Sequence, residues 1–214
     1  KKLLKNVMYG SLLALPYGSF AQAFLENFGS VAGTTAISTA SVGFSTASIP
    51  FTYTGTADVR NTTPSNSYTL ASGAVASGAA NVFITNAVGR AIEISGINTT
   101  AVTSPVINFG ISKSTNADNG SGLIVEYAVG TSTVYTALSF PALPTGSGTS
   151  QTTWYARQTT GTIPSTTNLR LRFRQNGSSV QYRIDDVQLT SASGGTTTPC
   201  PTSATITAGG ATTF

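Results

Sequence analysis

Leu169-Arg-Leu-Arg-Phe-Arg-Gln-Asn-Gly-Ser-Ser-Val-Gln-Tyr-Arg-Ile-Asp-Asp-Val-Gln-Leu189 is the stretch that decides the fold class. Leu169, Leu171 and Phe173 alternate with Arg170, Arg172 and Arg174, the period of two that marks a half-buried strand. Asn176-Gly177 is the dipeptide favoured by two-residue type I′ turns. Folding the chain there predicts a hairpin that sets Phe173 opposite Val180, Leu171 opposite Tyr182 and Leu169 opposite Ile184. All six then share the core face, and Arg170 stands opposite Arg183. Beyond Ile184, Val187 and Leu189 also read as inward, a change of parity that a regular strand cannot hold. A bulge is therefore expected at Asp185-Asp186.

Working outward, similar segments recur at 81–85, 91–97, 106–112, 123–129, 134–140 and 153–158. Turn-forming clusters separate them, and no helical pattern follows residue 23. The expected fold is all-β, an antiparallel jelly-roll β-sandwich of about eight to ten strands over residues 24–190. Composition agrees. Charged residues make up only 8% of the chain, against about 25% in ordinary soluble domains. Solvated helix faces need Lys, Glu and Arg, whereas outward strand positions can be Thr and Ser.

Residues 1–23 read as a signal-peptide helix: Lys1, Lys2 and Lys5, then the apolar run Met8 to Leu15, then Ala21-Gln22-Ala23 as a cleavage region. The apolar run falls short of the ~20 residues a membrane span needs, so no span is expected once the signal is removed. Residues 191–199 have a linker composition. Residues 200–214 read as the start of a second β domain, with Cys200 awaiting a partner further along. The expected location is secreted or cell-surface.

The formal charge of +4 belongs largely to the signal. Without its three lysines, eight cations face seven acids, which leaves no extended field for nucleic acid. The absence of His removes the Ser-His-Asp triad and most zinc chemistry. Retaining glycoside hydrolysis needs two carboxylates about 5 Å apart across a cleft, and Asp185 and Asp186, as sequence neighbours, are poorly suited to it. The domain reads as non-catalytic.

Several segments together resemble a known family: Glu26-Asn27-Phe28-Gly29, Thr54 to Arg60, Asn81-Val82-Phe83-Ile84, Ile94 to Thr99, and Asn168 to Arg174 with Tyr182 to Val187. They are similar to the amino-terminal jelly-roll modules, of carbohydrate-binding and MAM-like type, found in secreted modular surface proteins of Bacteroidota. Residues 200–214 resemble the opening of the immunoglobulin-like repeats that follow in such proteins. The resemblance implies type IX secretion, further domains in the same chain, and a role in adhesion or polysaccharide handling. In several jelly rolls with a closing Ile-Asp-Asp-Val pattern, a carboxylate of the last strand helps hold a structural calcium against the first strand. Here that points to Glu26, Asn27, Asp185 and Asp186 as oxygen ligands.

Two further constellations bear on binding. Arg170, Arg172, Arg174 and Arg183 form an outward cationic stripe, which Glu93 and Glu126 could neutralise as a ladder or which could hold uronic-acid or sulfated glycans. Trp154 and Tyr155 alternate, so one of them would face outward and could stack on a sugar; Tyr53, Tyr68 and Tyr135 are further candidates. The leading expectation is a non-catalytic recognition module for carbohydrate or a cell-surface ligand. A structural spacer or cap in a repeat-built surface protein, and an accessory domain of a secreted hydrolase, remain alternatives.

Overall fold

The computed structural model describes residues 24–48, 50–149 and 152–192. The expected signal peptide, most of the expected linker, Cys200 and the expected second β domain lie outside the described residues.

Two antiparallel sheets pack face to face as a jelly-roll sandwich. In chain order the strands are β1 (Leu25–Glu26), β2 (Thr34–Ala36), β3 (Thr52–Gly55), β4 (Asp58–Arg60), β5 (Asn81–Ile84), β6 (Ala91–Ile97), β7 (Pro105–Lys113), β8 (Leu123–Val129), β9 (Thr136–Leu138), β10 (Trp154–Gln158), β11 (Leu169–Gln175) and β12 (Tyr182–Ser191). One sheet has the order β10-β7-β12-β5-β4-β2, with β1 also on β12; the other has the order β3-β6-β11-β8-β9. The strands number twelve among the described residues, more than the eight to ten expected, because short pieces such as β1 and β2 carry too few residues to show a period. One helical turn, α1 (Ile37–Ala40), also breaks the expectation of no helix after residue 23. It buries Ile37 and Ala40 and needs no charged face, so composition does not reveal it.

The expected hairpin between β11 and β12 is not formed. β11 pairs with β6 and β8, while β12 pairs with β7, β5 and β1 in the opposite sheet. Neither Asn176 nor Gly177 takes the positive φ that a type I′ turn requires. The segment instead carries the chain across the sandwich. Asn176 N–H donates to Gly122 O at 2.8 Å, and the Gln175 amide reaches Thr85 O and Val180 O. The core assignment survives this change: Leu169, Leu171, Phe173, Tyr182 and Ile184 are fully buried and Val180 nearly so. Residues that meet across a core share inward parity just as residues opposite in a hairpin do. Arg170 and Arg183 consequently lie on different sheets and do not face each other.

The bulge is present. Along β12, Asp185 pairs with Gly110 and Gln188 with Asn108, so β12 spends one residue more than β7, and Asp186 takes φ 50°. Val187 and Leu189 thereby return to the core.

β1 is only two residues long, yet it is held firmly. Glu26, fully buried, accepts at Oε1 from Phe28 N–H (2.6 Å), Ser45 N–H (3.1 Å) and Ser45 Oγ (3.1 Å). At Oε2 it accepts from Thr46 N–H (2.9 Å), Thr46 Oγ1 and Tyr53 Oη (2.7 Å). This carboxylate ties the first strand of one sheet to β3 of the other. Replacing Glu26 by Ala strands these buried donors, and the cost should be about 3 kcal/mol or more. Urea denaturation should show the midpoint falling, with Glu26→Gln intermediate.

Candidate functional site

The outer face of the five-stranded sheet carries the arginine stripe. Register aligns Thr54, Glu93, Arg172, Glu126 and Ala137 in one row across β3, β6, β11, β8 and β9. Arg170 grips Glu93 with Nε at 2.9 Å and Nη2 at 3.2 Å. It also donates through Nη1 to the carbonyls of Gly130 (3.3 Å) and Ser132 (2.9 Å). Tyr135 Oη bonds both Glu93 and Arg170. Burial alone would raise the Glu93 carboxyl, but the bonds from Arg170 and Tyr135 outweigh it and hold Glu93 below its ordinary value. Arg172 and Arg174 both direct Nε at the same oxygen of Glu126, each at 2.8 Å. The Arg172 guanidinium lies 3.4 Å from the centre of the Tyr135 ring. The ladder of Arg with Glu is therefore formed by three of the four expected arginines.

Arg183 is not part of it. It is buried on the outer face of the seven-stranded sheet, where it donates to Thr62 O (3.0 Å) and Asn81 Oδ1 (2.8 Å) and lies over the Phe83 ring with Arg60 on the other approach. Burial, then the nearby Arg60, lower its ordinary value to about 10. The hollow beside it, bounded by Phe83, Ser112, Lys113 and Gln181, encloses only about 10 Å³.

Trp154 does point away from the main core, but it is only 4% exposed. Residues 61–80 cover it, and Tyr68 and Leu70 pack on it in a small separate cluster. Tyr155 packs against the main core at its edge, with Arg157 5.5 Å from its ring centre. Neither aromatic forms an open stacking platform.

The four oxygen-bearing residues expected around calcium are not gathered into one shell. Glu26 is filled by the amide and hydroxyl donors described above. Asn27 Oδ1 accepts from Gly29 N–H at 3.1 Å. Asp185 Oδ1 accepts from Asp186 N–H (2.8 Å) and its Oδ2 from Ser77 Oγ (3.3 Å), while Asp186 Oδ2 accepts from Tyr68 Oη and from Ser77 N–H (3.0 Å). Among the described residues no three of His, Cys, Asp and Glu cluster as metal ligands would. Burial, and secondly the adjacent Asp186, push the Asp185 carboxyl up to about 8.

Sequence reasoning missed Ser65 and Ser77, which serve the aspartate pair, and took Tyr135 only as a candidate sugar-stacking ring, not as the group that organises the arginine face; all three sit in loops, where no periodicity signals orientation. Lys113 is also buried, with its ammonium on the carbonyls of Asn116 (3.1 Å), Asp118 and Pro144 (2.6 Å), closing two loops over one end of the sandwich.

The sequence matches no family model and no curated protein. Its structure is similar to the K2 cleaved adhesin domain of Lys-gingipain, at TM-score 0.49 and 14% identity, covering 78% of this chain and 99% of that one. It is also similar to the CBM22-1 xylan-binding domain of Xyn10C from Paenibacillus barcinonensis, at TM-score 0.38 and 17% identity, covering 78% and 92%. A third likeness is to TmCBM61 in complex with β-1,4-galactotriose, at TM-score 0.38 and 12% identity, covering 67% and 89%. Likenesses this distant decide nothing about individual residues of this chain, whose reading rests on its own side chains.

Because hydrogen-bond donors already occupy Glu26, Asp185 and Asp186, calcium and a chelator alike should leave the melting temperature unchanged. A rise with calcium that Asp186→Ala abolishes would restore the metal reading.

Proposed function

We propose that the sandwich is a non-catalytic extracellular recognition module, and that it binds an acidic carbohydrate on the outer face of its five-stranded sheet. The observation that carries this reading is the sharing of one Glu126 oxygen by Arg172 and Arg174. Two guanidinium groups against one carboxylate leave an excess positive charge. With each Nε committed, the terminal nitrogens of both groups have no protein partner among the described residues, and both side chains are 26% exposed. The planar fork of arginine matches carboxylate and sulfate in two-point contact. The stack on Tyr135 and the bonds to Glu126 fix both forks before a ligand arrives, which lowers the ordering cost of binding.

The carboxylates argue for binding without catalysis. Glu93 and Glu126 are held by arginines, Asp58 by Arg60 at 3.1 Å, and Asp118 accepts from Tyr182 Oη at 2.7 Å. Glu26, Asp185 and Asp186 are buried. None of these arrangements offers two carboxylates facing each other across an open cleft.

A second reading, a structural spacer, is favoured by the engagement of every stripe arginine with protein groups and by the burial of Trp154. A glycan array separates the two. Uronic-acid or sulfated glycans should bind and neutral ones should not, with affinity falling as salt rises. The Arg172→Ala/Arg174→Ala variant, made with Glu126→Gln so that no buried carboxylate loses its partners, should fold and lose binding about tenfold or more. Binding that survives in this variant, or a blank array from folded protein, would favour the spacer.

A further inference from the structure

Lys113 ends β7 on its core side. Alternation along that strand sends Ile107, Phe109 and Ile111 inward, all fully buried. The same parity applies to Lys113, which stands opposite Tyr182 and is 3% exposed. Lysine is rarely buried to this degree unless it is paired, yet no ion pair reaches Lys113 among the described residues. Its ammonium donates instead to three backbone carbonyls, Asn116 O at 3.1 Å, Pro144 O at 2.6 Å, and Asp118 O. Three N–H donors thus meet three acceptors, the full capacity of the group. The Asp118 carboxylate is engaged elsewhere: its Oδ1 accepts from Gly120 N–H and from Tyr182 Oη, each at 2.7 Å.

The carbonyls come from two loops, residues 114–122 after β7 and residues 139–148 after β9. The second loop is short of donors, because Pro141 and Pro144 carry no N–H. Cations take up its surplus carbonyls. Arg157 donates to Pro141 O at 2.8 Å and to Ala142 O at 2.9 Å, and Lys113 takes Pro144 O. Around the ammonium the loops also exchange amide bonds: Asn116 N–H to Gly148 O (3.0 Å), Gly146 N–H to Asn116 O (2.9 Å) and Leu143 N–H to Asn119 O (2.8 Å). Carbonyl oxygens that converge on one point repel one another unless positive charge lies between them, and backbone oxygens hold metal ions on the same ground.

We propose that the carbonyls of Asn116, Asp118 and Pro144 form a binding site for a primary ammonium group, that Lys113 fills it as a tethered ligand, and that a free alkylammonium ion can take the place of the lysine. The ligand class follows from the donor count. A primary ammonium directs three N–H groups at three carbonyls and lets its alkyl stem leave along the core side of β7. A quaternary ammonium brings the charge without donors, and an alcohol brings one donor without the charge. Occupancy of the site joins the two loops through a single atom, at an end of the sandwich separate from the arginine ladder.

The full chain carrying Lys113→Ala tests this, because n-propylammonium supplies the carbons and the nitrogen that the substitution removes. The variant should melt about 5 °C or more below the parent. n-Propylammonium chloride should recover at least half of that loss and leave the parent unchanged, whereas n-propanol and tetramethylammonium chloride at the same concentration should not. Hydrogen exchange should place the effect: the amides of Asn116, Leu143 and Gly146 should lose and then regain more protection than the core amides of Ile111 and Phe173. Lys113→Met keeps the stem and drops the charge, so it should be destabilised and stay so with propylammonium present. If Lys113→Ala does not fold in plain buffer, its refolding yield in the three solutes reads the same ranking. The proposal fails if Lys113→Met is as stable as the parent, if propylammonium gives no rescue, or if propanol or tetramethylammonium rescues equally well.

Discussion

One extra residue in β12 sets the positions of much else. Before the bulge, β12 is flanked by β7 and β5; after it, β1 takes the place of β5. The insertion lets a single ten-residue strand serve two different partners along one edge while keeping Ile184, Val187 and Leu189 in the core. It also turns two adjacent carboxylates, which a regular strand would send to opposite faces, toward the same covering loop. Without it, either the last third of the strand would expose its apolar side or the first strand would lose its place.

The chain manages its few charges in two distinct ways. On the five-stranded sheet, opposite charges neutralise each other at the surface, where each pair contributes modestly and mainly fixes geometry. On the seven-stranded sheet, Asp185 and Asp186 are buried with only hydroxyls, amides and one another for company. Glu26 shows a third arrangement, a buried carboxylate that accepts from three backbone amides and three hydroxyls.

Much of the sandwich was legible because its long strands alternate cleanly. The segments at 91–97, 123–129 and 169–175 coincide with β6, β8 and β11, and the parity break at Asp185-Asp186 marked the bulge. The pairing of β11 with β12 was misread because inward parity is satisfied equally by neighbours in one sheet and by opposites across two. Glu93 and Glu126 were placed outward correctly, since their strands are long and regular. Arg183 also faces away from the core, but on the other sheet, and alternation does not show that a loop covers that side. The same blindness hid the fate of Trp154, and the loop of residues 61–80 that buries it has no period to read.

The pairing of Leu25 with Gln188 brings the two ends of the sandwich together, with Leu189 N–H donating to Phe24 O at 3.0 Å. A pull between residues 24 and 192 would therefore peel β1 from β12 one pair at a time instead of shearing them in parallel, a geometry that ordinarily yields at low force. The Glu26 cradle sits at the second pair along that seam, so a crack started at the ends would be arrested almost at once. Both ends of the described sandwich thus lie at one corner, and a load applied there meets the Glu26 cradle before it reaches the core.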